Sequence, residues 1–165
     1  MKRKRDIGLI VCLVIVFVLC FPTIRLFFQS LKLKNEYNNY LNALSESVAS
    51  TQGRGVFVYH DDFVYKIDNY LAEDYYRLLY VAKQGKVVDV NEIDKSYYIE
   101  YVDGSDISFT KIDKEYDEEY MKQKGVLVTY KFNDGTYYSY ITDNMRYENL
   151  EFILNYSTGA KKIGK

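Results

Sequence analysis

The chain is poor in the residues that most often build sites. Its 165 residues include one His, two Cys, one Pro and no Trp. One His and two Cys cannot make a Cys/His zinc module. One Pro and nine Gly exclude collagen-like or Pro-rich material. No sign of charge dominates: 22 Lys plus Arg face 23 Asp plus Glu. That balance argues against a nucleic-acid binder held by a basic surface, so nucleic acid is not an expected partner. With 48% hydrophobic and 27% charged residues, the chain is not disordered as a whole. Its length suits one domain or two small ones.

Catalytic and cofactor patterns are also missing. No Ser sits in a Gly-x-Ser-x-Gly elbow. Gly53-Arg54-Gly55 lacks the Lys-Ser/Thr of a phosphate loop. Asp89 to Glu100 echoes a calcium loop, but Asp94 stands where Gly is needed. His60-Asp61-Asp62 is the one meeting of imidazole and carboxylates, and three consecutive residues do not converge on one ion. It reads as a polar turn or helix cap. The expectation is a non-enzymatic protein with no cofactor and no metal.

One long hydrophobic run is present. Ile7 to Ile24 is 18 residues without a charge, preceded by Lys2, Arg3, Lys4 and Arg5. As a helix it spans about 27 Å, close to the ~30 Å hydrocarbon core of a bilayer. No small-residue pair follows it to mark cleavage, so it reads as an uncleaved signal anchor rather than a removed leader. The bilayer is thus an expected partner through Ile7 to Ile24. The cations before the run outnumber Arg25, Lys32 and Lys34 after it. That bias predicts a cytoplasmic amino terminus and an extracytoplasmic remainder. Without its first six residues the chain keeps 18 cations and 22 anions. Cys12 and Cys20 both fall inside the run, about 12 Å apart on a helix, too far to bridge. A cysteine-free exported domain rich in Lys, Asn, Ile and Tyr points to a Gram-positive-type bacterium of low GC content.

Downstream, Leu33, Tyr37, Tyr40, Leu41, Leu44 and Val48 recur at helical spacing. They predict a juxtamembrane amphipathic helix of about 18 residues within 29–55. It is either a stalk or dimer seam, or a first helix packed on its own domain; fewer than three clean heptads favour the second. Residues 56–67 read as a hairpin or as a helix starting at Phe63. Leu71, Tyr75, Leu78, Leu79 and Ala82 predict a helix over 70–83, with Gly85 ending it. The period then becomes two. Asp103-Gly104 and Asp134-Gly135 each sit between alternating runs, which predicts two hairpins. Leu150 to Tyr156 suggests a fifth strand, Asp113 to Lys124 a charged helix or loop, and Ser157 to Lys165 a frayed basic tail. The fold class is α+β: an N-terminal transmembrane helix, then one domain over 56–165 with one or two helices packed on an antiparallel β-meander.

Nineteen tyrosines are the abundant feature. Tyr has high strand propensity and forms cross-strand ladders, which is the simplest account. Adjacent pairs such as Tyr97-Tyr98 nevertheless place one ring on each sheet face, so some rings face solvent or a partner. Tyr buries much area at little entropic cost and keeps a hydroxyl for bonding. The candidate binding residues are Tyr97, Tyr101, Tyr130, Tyr138 and Tyr140. The expected partner is an envelope protein or cell-wall component; the alternative is a structural subunit of an envelope transfer, secretion or pilus-like assembly.

Overall fold

The computed structural model describes residues 2–90, 92–114, 123–142 and 144–164, with side chains from 16 onward outside 113–124. The chain divides into two compact units, Met1–Asn38 and Asn39–Lys165. The first is helical throughout its described residues. Its helix, α1, runs Lys2–Ser50 with Pro22 inside it. Among the described residues it is the one helix long and apolar enough to cross a membrane. Large side chains from Val16 to Phe28 are exposed, including Phe17, Leu19, Leu26 and Phe28 at more than 60%.

The second unit is α+β. After the last turns of α1 come β1 (Val56–His60), β2 (Phe63–Ile67), α2 (Asn69–Ala82) and β3 (Lys86–Val88). Then follow β4 (Tyr97–Glu100), β5 (Asp106–Lys114), β6 (Gln123–Lys131), β7 (Tyr137–Thr142), α3 (Tyr147–Tyr156) and β8 (Ala160–Gly164). The strands make one eight-stranded antiparallel sheet in the order β3-β7-β6-β5-β4-β1-β2-β8. The two Asp-Gly turns form as the sequence predicts, with Gly104 and Gly135 both at φ 85. Residues 56–67 resolve as a hairpin whose two-residue turn puts Asp61 at φ 51.

Register assigns the faces. Val58, Ile99, Ile107, Tyr130 and Tyr138 lie in one cross-strand row, and His60 pairs with Tyr97 on the same face. All three helices cover this face. Tyr75 of α2 meets Tyr97 and Phe109, Leu150 of α3 accepts from Tyr97, and Tyr40 of α1 packs on Tyr130, Tyr138 and Tyr140. The β3–β4 connection crosses the other face: Thr110 Oγ1 donates to Asp94 (2.7 Å), and Ser139 Oγ to the Val90 carbonyl (3.5 Å).

Several expectations change. The second compact unit, Asn39–Lys165, takes in the last turns of α1, where Tyr40 and Leu44 are fully buried. Leu150 to Tyr156 is helix rather than strand: Leu150 and Leu154, one turn apart, are buried while Phe152 and Tyr156 stay exposed. A short apolar run fits either period, and the tertiary partner decides. The tail is not frayed. Ala160–Gly164 pairs with β2, and Asp68 donates its amide to the Gly159 carbonyl (3.1 Å). Helix α2 ends at Lys83 with φ 58; Gly85 serves close packing instead, since a Cβ there would collide with the Ile141 carbonyl oxygen. Of the charged segment 113–124, Asp113 and Lys114 extend β5 and Gln123 and Lys124 open β6; residues 115–122 lie outside the described residues.

Leu44→Ala is expected to lower the stability of the full chain by about 2–5 kcal/mol in urea unfolding. Val16→Ala, at an exposed position, should change it by less than about 0.5 kcal/mol. Equal effects would show that the end of α1 is not core.

Candidate functional site

All five sequence-chosen tyrosines fall on the covered face. Tyr97 and Tyr140 are fully buried; Tyr101, Tyr130 and Tyr138 keep at most 8% exposure. They are brought together, but as core. Strand alternation puts them on the side that three helices close. Four of the five hydroxyls enter internal bonds, and that of Tyr101 is buried without a hydrogen-bond partner among the described residues. Tyr97 sits 2.5 Å from Tyr75 and donates to the Leu150 carbonyl (3.0 Å). Tyr130 lies 2.8 Å from Ser47, Tyr140 lies 3.3 Å from Tyr40, and Tyr138 donates to Gln84 (2.7 Å). Burial pushes the Tyr75, Tyr97 and Tyr101 phenols well above the usual range.

Ser47 ties α1 to the β4–β5 turn. Its Oγ donates to Asp103 (2.6 Å), and Ser105 lies 2.8 Å from it. Partial burial would raise the Asp103 carboxyl, but the bonds from Ser105 and Ser47 outweigh it and hold it below the ordinary value.

His60 closes the β1 end of the core. Its ring packs at a tilt against Tyr97, centroids 4.5 Å apart, and Nε2 lies 3.5 Å from Glu151 and 3.6 Å from Asp61. Asp62 is exposed at the turn. Among the described residues no three His, Cys, Asp or Glu side chains converge on a metal position.

The opposite parity supplies the accessible aromatics. Tyr59 and Tyr98 pair across β1 and β4 and stack in parallel, centroids 4.3 Å apart, both half-buried. Tyr59 donates to Glu100 (3.0 Å), and burial followed by that carboxylate pushes its phenol up to about 12. Beside them runs a row of side chains in register: Lys161, Lys66, Phe57, Glu100, Asp106, Lys131 and Tyr137. Like charges directly opposite are unfavourable, and this row holds two such pairs. The acidic pair has partners: Lys131 donates to Asp106 (3.4 Å), and Tyr59 to Glu100. Burial still raises Asp106, with Lys131 opposing.

The lysine pair borders an open cleft of about 460 Å³. Arg54, from the loop after α1, enters between Gly53 and Gly55, both at φ 79. The Lys66 stem lies across Gly55 where a side chain would otherwise be. Lys161 comes from β8, and Tyr70, 80% exposed, stands on the rim. Asp68 is the acid in the lining, and its carboxylate caps α2 by accepting from the Leu71 amide (2.9 Å). Sequence reasoning missed this cluster because Lys161 reaches Lys66 only through β8, in the segment read as a frayed tail.

A raised phenol pKa makes stability full below the unfolded value of 10 and lost as pH climbs toward the folded one. Tyrosinate absorbance is therefore expected to show Tyr75, Tyr97 and Tyr101 ionising only with unfolding, above pH 10. Tyr97→Phe should leave the tyrosinate signal of the folded protein unchanged; loss of a component near 10 would place Tyr97 at the surface.

No protein-family model matches this chain, and neither any curated protein nor any solved structure matches it.

Proposed function

We propose that the chain is a single-pass, membrane-anchored protein whose C-terminal domain is held outside the cytoplasm as a non-enzymatic interaction module. The observation that carries this reading is the exposed apolar helix. Between Val16 and Phe28, nine large hydrophobic side chains stand at 44–71% exposure. An apolar surface of that extent on a soluble monomer would be unusual, and lipid is the solvent that suits it. A helix also satisfies its own backbone bonds, which a bilayer interior demands.

Orientation follows the flanking charge. Lys2 to Arg5 lie before the apolar run and favour the cytoplasmic side. The domain is built to last without disulfides: its core is closed by three helices and an eight-stranded sheet. Binding rather than catalysis is supported by what the surface presents. The stacked Tyr59–Tyr98 pair on β1 and β4 and the cationic cleft are accessible features. Anchoring would confine this surface near the membrane and raise its local concentration toward neighbours.

Full-length protein is expected to stay with the membrane through alkaline carbonate washing, and a carboxyl-terminal tag to be digested by protease added to intact spheroplasts. Leu19→Arg with Val16→Arg should release the chain, since each charge at mid-membrane costs about 2.5–3.5 kcal/mol. A protected tag, or a mature protein starting beyond residue 28, would defeat the proposal.

A further inference from the structure

We propose that the cleft between the loop after α1, the end of β2 and β8 binds a phosphate-bearing polyol or sugar. This deepens the reading of the domain as an interaction module by naming a ligand class. Three observations converge. Lys66 and Lys161 are directly opposed in register, a destabilising placement. Arg54 joins them from a third segment, on a loop whose two glycines hold positive φ. None of the three makes an ion pair among the described residues, although the same row of the sheet matches its acidic pair with Lys131 and Tyr59. A protein that satisfies one like-charge pair and leaves the other open, in a chain of net charge -1, has concentrated cations where an anion belongs.

The chemistry of the lining narrows the anion. Arg presents a planar fork of donors that suits phosphate oxygens, and lysines add point charges from the other sides. Asp68 does not cancel the site; its carboxylate is engaged at the α2 cap, leaving two net positive charges in the lining. Gly159 lets that carboxylate sit close, since a Cβ there would overlap it. A volume of about 460 Å³ exceeds what a bare phosphate needs and accommodates an attached polyol or sugar unit. Tyr70 supplies an exposed ring at the rim on which a sugar or polyol can rest. The phosphate can come from a soluble envelope polymer or from a lipid headgroup, and the binding chemistry is shared.

The test uses the full chain in phosphatidylcholine nanodiscs. Poly(glycerol phosphate), glycerol phosphate and inorganic phosphate are titrated against sodium chloride of equal ionic strength, with melting temperature and calorimetric affinity as readouts. Phosphate compounds are expected to stabilise the protein where chloride does not. Lys161→Gln should melt about 1–3 °C higher without ligand, because the opposed charges are relieved. It should also bind the polymer about tenfold more weakly; Lys66→Gln repeats both effects. Tyr70→Ala should weaken the polymer and spare inorganic phosphate. Phosphatidylglycerol discs that stabilise the protein and compete with soluble glycerol phosphate identify the headgroup as source; unchanged affinity in both discs identifies the soluble polymer. The proposal is overturned if chloride reproduces the phosphate effect, if both lysine variants bind as the parent does, or if an oligonucleotide outcompetes the polymer. Equal loss of phosphate and polymer in Tyr70→Ala overturns the polyol assignment. None of these readouts depends on which side of a membrane the domain occupies, so this failure is distinct from that of the anchoring test.

Discussion

Packing of Tyr40 against Tyr130, Tyr138 and Tyr140, at ring separations of 5.4–5.5 Å, is the contact on which the domain depends. A sheet of eight strands needs one face kept dry, and α2 and α3 serve its β1–β5 side. The β6–β7 side is closed by the last turns of α1. Filling that space with tyrosine rather than leucine imposes a second condition: each buried hydroxyl must find a partner or bear a desolvation cost. Ser47, Tyr40 and Gln84 answer for Tyr130, Tyr140 and Tyr138. Tyr101 is the exception, with a buried hydroxyl lacking a hydrogen-bond partner among the described residues. The packing is thus geometrically specific, because rings and hydroxyls must both be placed.

This explains which parts were legible in the sequence. The two Asp-Gly hairpins were readable because a tight turn and strict alternation are local properties, as was the apolar stripe of α2. Alternation also showed that adjacent tyrosines divide between two faces. It could not show which face is covered. Tyr97 and Tyr98 are equivalent in any local window; only the helix segments packing on Tyr97 tell them apart. The five chosen tyrosines share one face, and it is the face the helices cover. The strand expected at Leu150–Tyr156 and the loose tail after Ser157 failed for a related reason. Both are short segments whose conformation is set by distant partners, namely the Tyr97 region for α3 and β2 for β8.

The face opposite the helices follows from the same division. Its middle is a cross-strand row of Ser108, Thr129 and Ser139, small enough to be buried. The β3–β4 connection crosses it and bonds to Thr110 and Ser139. The stacked tyrosines lie on β1 and β4 of this face, and the charge row crosses it from Lys161 on β8 to Lys131 on β6.

Charge order along that row separates structure from function. Glu100 and Asp106 sit side by side, which alone would be unfavourable, but each has a donor from a neighbouring strand. Their arrangement is closed and needs nothing further. Lys66 and Lys161 repeat the same geometry with the sign reversed, and the nearby acid is occupied at a helix cap. Edge strands use lysine to discourage pairing with other chains, which accounts for Lys161 alone. It does not account for aligning Lys66 opposite it, nor for bringing Arg54 to the same cleft on a loop whose two glycines hold positive φ. Solubility is served by dispersed charge; converging three cations on one cavity gives up stability for the capacity to hold an anion.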